Sequence, residues 1–194
     1  MSAMRKLSAE DHKRIADAAA GVAARSQIHF VFAIVPASDR YRLYPVIWAA
    51  MLTLMAAALL AAWQPWLPLA EGFLAEAALF VVLSLIFEWE SIRLALVPKR
   101  IKRGQAQRLA HLDFAERILA QPQPRGILFF VSLGERYVEI LADRETHAKI
   151  GETAWQQIVS DFSAAAKAGR LAEGALAGIA ACGQHLERNF PKQD

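Results

Sequence analysis

The sequence predicts an α/β fold in which a small mixed β-sheet is sandwiched between helices and a two-helix transmembrane hairpin interrupts the chain. Two observations lead to this prediction. The middle of the 194-residue chain holds two long apolar stretches, residues 44–63 and 67–87, with at most two charged residues each. On both sides of them, amphipathic helical patterns alternate with short runs of β-branched and aromatic residues.

The two apolar stretches are each long enough to cross a bilayer, because about 20 helical residues span a hydrocarbon core of about 30 Å. The first has no charged residue, whereas the second contains Glu71, near the turn, and Glu76, a few residues short of mid-span. A carboxylate inside a span is costly. Glu76 is therefore expected to be protonated, hydrogen-bonded or part of a longer hairpin loop. The alternative to two spans is a pair of buried helices in a soluble core.

Basic residues flank the hairpin and predict its orientation. Five of the eleven residues at 98–108 are basic, whereas the turn at residues 64–66 has no Lys or Arg. The positive-inside rule then places both termini in the cytoplasm, and the first span acts as its own targeting signal. We expect the basic residues to bind anionic lipid headgroups, at about 1 kcal/mol per cation. Despite the net charge of +3, nucleic acid is not an expected partner, because no aromatic residues interleave with them. These basic residues are Lys99, Arg100, Lys102, Arg103 and Arg108.

Residues 1–40 and 98–194 lie on the same side of the membrane in this topology, and together they have the ordinary size of one domain. The sequence therefore predicts a single soluble domain that the hairpin interrupts. Its N-terminal part begins with a helix opened by a capping box at Ser8 and Asp11. Residues 28–35 follow as a central strand buried on both faces, closed by Pro36.

The part after the hairpin is predicted to contain a helix, two strands and two helices. The membrane hairpin and the helix after it form a crossover connection, so the first of these strands is expected to pair in parallel with residues 28–35. The two strands after the hairpin are expected to pair with each other as an antiparallel hairpin. The carboxyl ends of the two parallel strands then share one edge of the sheet, which carries Asp39, Glu135 and Arg136. This edge is expected to face the membrane, because the first strand passes almost directly into the first span. The predicted elements are a helix over 105–120, strands over 127–133 and 137–142, a helix with Trp155 and Phe162 that stops at Gly169, and a helix over 171–189.

The best candidate for a polar site is the segment after the last strand. In a hairpin, its first residue lies beside the start of the partner strand, so we expect Arg125 close to Asp143. Carboxylates with a histidine can bind a divalent cation such as Ca²⁺ or Mg²⁺, and arginines can hold an anion. The alternative is a solvated loop with a structural Asp–Arg pair. The residues of this candidate metal or anion edge are Asp143, Arg144, Glu145, His147 and Arg125.

One long string of residues resembles a known family. It reads Val-Ser-Leu-Gly-Glu-Arg-Tyr-Val-Glu-Ile-Leu-Ala-Asp-Arg at residues 131–144, with supporting residues at 93–98, 126–130, 155, 180–183 and 190–191. On these motifs the chain resembles the short membrane branch of the TPM-domain family, named after a thylakoid lumen protein, a photosystem II repair protein and a receptor modulator. The resemblance covers nearly the whole chain. It departs from the family where Ser26-Gln27 replaces the usual Gly-Glu pair.

This resemblance implies an α/β/α sandwich anchored to a bacterial inner membrane, but no settled activity. Some soluble relatives are reported as acid phosphatases or divalent-metal binders, and others as assembly or repair factors. The residues add no phosphate loop, His-Glu-x-x-His motif or paired-cysteine spacing. We therefore expect an interaction, assembly or repair module with a membrane or cytosolic protein partner. The alternatives are a metal-dependent phosphatase at the Asp143 edge and a small oligomeric transporter subunit that uses Glu76.

Overall fold

A computed structural model of the chain describes residues 7–39, 41, 43–64 and 68–192. Residue 40, the predicted end of the N-terminal part, and residue 67, the predicted start of the second span, lie outside the described residues. The elements in chain order are α1 (Ala9–Arg25), β1 (His29–Val35), α2 (Leu43–Trp63), α3 (Leu69–Phe87), α4 (Glu90–Leu96), α5 (Lys99–Phe114) with a π-helical turn (Ala115–Leu119), β2 (Gly126–Ser132), β3 (Tyr137–Ala142), α6 (Arg144–Ile150), α7 (Glu152–Lys167) and α8 (Leu171–Asn189).

The chain divides into two compact units. The first, which we call the sheet unit, comprises residues 1–38 and 104–194, and the second, the hairpin unit, comprises residues 39–103. The sheet unit contains all three described strands, and the hairpin unit contains α2, α3 and α4. The predicted α/β class with a small mixed sheet is confirmed, and α2 and α3 are candidate spans by length and composition.

The described strands form one sheet in the order β1-β2-β3. β1 pairs with β2 in parallel, as the crossover predicts, and β2 pairs with β3 as an antiparallel hairpin. The prediction that residues 28–35 form a central strand was wrong, because β2 is the central strand of the described sheet. β1 is apolar on both faces for another reason. Its residues pack into the cores on both faces of the sheet, Phe30 on one side and Ala33 on the other.

Helices cover the two faces of the sheet and complete the sandwich. β2 is buried along its whole length, and its residues alternate between two cores. On one face, Phe129 packs with residues of α1, α7 and α8, and the rings of Phe32 and Phe162 contact it edge-on at 5.2 and 5.5 Å between centroids. On the other face, Phe130 packs against Ala110 of α5. The buried apolar area of these two layers is the main stabilising term of the sheet unit.

Local signals explain the helix ends. At the start of α1, the Ser8 hydroxyl accepts a hydrogen bond from the Asp11 N–H, and the Asp11 carboxylate accepts one from the Ser8 N–H. Hydrogen bonds from the Ser8 side chain and backbone hold the pKa of the Asp11 carboxyl below its ordinary value. α7 is followed by Gly169 with a φ of 79°, the left-handed conformation that glycine adopts easily. The predicted start at residue 105 was wrong, because α5 begins at Lys99, directly after Pro98.

The single cysteine provides a test of packing in the sheet unit. Burial of Cys182 in α8 raises the pKa of its thiol to about 12, from 9.0. Because the thiolate is the reactive form, we expect maleimide labelling at pH 8 to be negligible in the folded chain and rapid in denaturant. The pKa of this thiol is higher in the folded chain than in the unfolded chain. The stability that the buried neutral thiol contributes to the folded state is therefore complete below pH 9 and is lost as the pH rises from about 9 towards 12. Labelling of the native chain at a free-thiol rate would contradict the buried position.

Candidate functional site

The carboxylate of Asp143 lies at the amino end of α6 and is surrounded by hydrogen-bond donors. One oxygen, Oδ1, accepts bonds from the N–H groups of Glu145 and Thr146, at 3.0 and 3.1 Å. The other, Oδ2, accepts from the Gly126 N–H at 3.0 Å and from the Thr146 hydroxyl at 2.6 Å. The Asp143 N–H in turn donates to the Gly126 carbonyl at 3.1 Å. This side chain therefore caps α6 and ties it to the start of β2.

This geometry bears on the predicted metal site. A carboxylate offers about four acceptor positions, and four donors already occupy those of Asp143. A cation would have to displace at least one of them. Among the described residues, no group of three or more His, Cys, Asp or Glu side chains is placed to hold a metal ion. The arrangement can stabilise the helix and the hairpin without any ligand.

The other residues of the predicted edge form surface ion pairs around this cap. Arg125 pairs with Glu145 at 2.6 Å, rather than with Asp143, and Lys149 approaches the same carboxylate at 3.2 Å. His147 lies 3.4 Å from Glu152. Arg144 is exposed beside them. The structure therefore brings together Arg125, Asp143 and Glu145, but it turns His147 towards α7.

A second polar cluster lies at the opposite edge of the sheet, where β1 and β2 end. The Ser38 N–H donates to both oxygens of Glu135, at 3.0 and 3.1 Å, and the Ser38 hydroxyl lies 3.0 Å from the buried Ser132 hydroxyl. The Ser132 hydroxyl also donates to Glu135. Sequence reasoning placed Glu135 at this edge but missed Ser38 as its partner. The sequence signal for this contact was Ser132, because a hydroxyl group in a buried apolar strand requires a hydrogen-bond partner.

The hairpin unit contains the remaining polar candidate. α2 and α3 contact each other, and a groove of about 1090 Å³ lies between them. Glu76 lines this groove and is half-buried. Within the described part of the chain, its carboxyl makes no hydrogen bond or ion pair. α4 belongs to the same unit, where the Trp48 indole donates to the Leu96 carbonyl at 3.2 Å.

The basic residues after the hairpin all lie in α5. Lys99, Arg100, Arg103 and Arg108 are exposed, and Lys102 is half-buried. Exposed cations on a helix can contact phosphate groups with little desolvation cost.

A family model for the TPM domain matches residues 91–185. This match includes the whole string at residues 131–144, from the end of β2 through β3 to the Asp143 cap. The chain therefore carries a TPM domain over residues 91–185. A comparison with curated proteins found no match.

One solved structure supports the fold of this TPM-domain protein. The NMR structure of BA42 protein from the psychrophilic bacterium Bizionia argentinensis is similar, with a TM-score of 0.55 and 13% sequence identity. The match covers 98% of this chain and 88% of the BA42 chain. At this identity the likeness shows the fold alone.

The TPM-domain chain also shows what replaces the Gly-Glu pair expected from the family resemblance. Ser26 is buried before β1, and its hydroxyl donates to the Ile28 carbonyl at 2.9 Å. Its backbone forms an isolated antiparallel bridge with Pro191, which joins the start of β1 to the end of the chain. Gln27 is exposed. The position is thus occupied by a structural hydrogen bond and not by a carboxylate.

Proposed function

We propose that the chain is a membrane-anchored TPM module that binds other proteins at the bacterial inner membrane, with both termini in the cytoplasm. The observation that carries this proposal is the exposure of the two apolar helices. Over their most apolar windows, α2 is 11% buried and α3 is 0% buried in the structure. The core helix of a soluble protein would be mostly buried, so these surfaces favour an apolar solvent such as lipid.

Anchoring and topology can be tested with the full chain in bacterial cells. We expect the chain to stay in the membrane pellet after alkaline carbonate extraction. A reporter that works only in the cytoplasm should be active when it is fused after Asp194. A reporter that works only outside the membrane should be active when it is inserted after Gln64. A matched insertion after Gly104 should again report the cytoplasm. Release into the supernatant, or an external C-terminus, would contradict the proposal.

The sheet unit offers a surface for a protein partner. Leu112 in α5 and Leu119 in the π-helical turn are 59% and 50% exposed. Leu112 lies four residues after the exposed Arg108, so the two share one face of the helix. Two exposed leucines and an arginine would give a partner apolar contact area and a hydrogen-bond donor, and arginine is enriched in protein interfaces. The basic residues nearer the hairpin would add contacts to anionic headgroups.

A photo-crosslinking experiment tests this surface in native membranes. We expect a photoreactive residue at position 112 to give a defined adduct with another protein. When Leu119→Glu is added to this labelled chain, the adduct should disappear, because the substitution puts a charge into the contact. The matched change Gln107→Glu, at another exposed position of α5, should leave it intact. Equal adducts in both variants would contradict partner binding at this surface.

A phosphatase at the Asp143 edge is less well supported by the geometry, because a metal would have to compete with the donors that already bind this carboxylate. The assay that separates the two functions is hydrolysis of a phosphomonoester by the purified full chain, with Mg²⁺ or Ca²⁺ and with EDTA. Metal-dependent hydrolysis that is lost in Asp143→Asn would favour the enzyme over the interaction module.

A further inference from the structure

We propose that the groove between α2 and α3 binds the hairpin of a second copy of this chain, so that the protein is a dimer within the membrane. This inference rests on the membrane anchoring proposed above. The groove belongs entirely to the hairpin unit and lies outside the TPM domain. The proposal therefore assigns a partner to a surface that the family resemblance does not explain.

The groove has the shape and lining of a helix-docking surface. Its volume is about 1090 Å³, large enough for several side chains of a neighbouring helix. Small residues allow two helices in a membrane to approach closely, so that their backbones and side chains pack over a wide area. The small residues that line the groove are Ala56, Ala57, Ala61, Ala70, Gly72 and Ala75.

Glu76 gives this groove a chemical requirement that lipid tails cannot meet. It lies seven residues after Leu69, the first residue of α3, which is about 10 Å along the helix axis. At that depth in a span, a carboxyl without a partner is costly whether it is charged or neutral. Among the described residues it has no hydrogen-bond partner. The occupant of the groove must therefore bring a polar group to this position.

A second copy meets this requirement with the residues of the groove itself. Gln64 and Glu76 line the same groove. A carboxamide both donates and accepts hydrogen bonds, and so does a protonated carboxyl. In a two-fold dimer of hairpins with the same topology, equivalent residues lie at the same depth, so Glu76 of one copy can bond with Glu76 of the other, and Gln64 with Gln64. The groove is thus complementary to itself in its hydrogen-bonding groups.

The test measures association of the full chain in lipid bilayers. Copies labelled with donor and acceptor dyes are mixed in vesicles, and energy transfer is followed as lipid dilutes the protein. We expect a transfer signal that corresponds to dimers. Glu76→Leu should weaken association about tenfold, because it removes an interhelical hydrogen bond, whereas Glu76→Gln should stay within about threefold of the natural chain.

A pair of adjacent alanines provides the steric control. Ala57 lines the groove, whereas the neighbouring Ala58 is exposed and does not. Ala57→Leu should therefore weaken association strongly, and Ala58→Leu should not. A chain that stays in the membrane but is monomeric, or a dimer that tolerates both Glu76→Leu and Ala57→Leu, would overturn the dimer and leave the anchoring intact. Release of the chain by carbonate would overturn both.

Discussion

Replacing Gly178 with alanine is expected to destabilise the sheet unit by about 1–3 kcal/mol, as overpacking of a dense core does. A Cβ atom at this position would lie 2.6 Å from Cε1 and 3.1 Å from Cζ of Phe129. The phenyl ring of Phe129 cannot easily move aside. It is fully buried in the central strand, and the rings of Phe32 and Phe162 contact it edge-on. α8 can approach the sheet this closely because Gly178 has no side chain.

The measurement is urea or thermal unfolding of the full chain in detergent, followed by a signal from the sheet unit. Gly104 is the matched control, because it also lies in a helix but a Cβ there would meet nothing within 4 Å. Gly104→Ala should therefore be neutral or stabilising by up to about 1 kcal/mol, through its backbone entropy.

A second change separates the clash from a general effect of mutation in α8. In the Gly178→Ala background, Phe129→Leu should recover part of the lost stability, because the smaller side chain makes room for the new methyl group. In the natural background, the same Phe129→Leu should only destabilise, because it leaves a cavity. If the two substitutions are simply additive, then Phe129 is not the residue that requires a glycine at position 178.

Much of this fold could be predicted because its signals are local. The capping box of α1, the glycine after α7, the apolar run of β2 and the turn before β3 each depend on residues only a few positions apart. The parallel pairing of β1 with β2 followed from the crossover connection between them. Strand order was harder. An apolar run shows that both faces of a strand are covered, but it does not show whether helices or further strands lie beside it, so β1 was wrongly taken as central.

The candidate sites illustrate the same limit. The hairpin register correctly placed Asp143 beside the start of β2, since β3 and β2 are adjacent in sequence. The helix that Asp143 caps was missed, although an aspartate three residues before Thr146 is a possible start signal for a short helix. The Ser38–Glu135 contact joins residues 97 positions apart, and no local pattern encodes it. Such contacts emerge only when the parallel strands are in register.

Asp143 is where the structural and catalytic interpretations predict different results, and its loss is expected to cost the most. Asp143→Ala removes the cap of α6, worth about 0.5–2 kcal/mol, and leaves the buried Gly126 N–H without its acceptor, worth about 1–3 kcal/mol. We therefore expect a loss of about 2–4 kcal/mol in the free energy of unfolding. Asp143→Asn should lose less, because one amide oxygen can still cap the helix.

Glu145→Gln is the matched control for this edge. It breaks the ion pairs with Arg125 and Lys149, but all three side chains are about half exposed, so the cost should be below about 1 kcal/mol. Each variant is unfolded with EDTA and with millimolar Ca²⁺ or Mg²⁺. If Asp143 acts only as a cap, its substitutions lower stability by the same amount under all three conditions. If it binds a cation, the metal stabilises the natural chain and this increment disappears in both Asp143 variants, because ligand binding adds stability only to a folded state that retains the site.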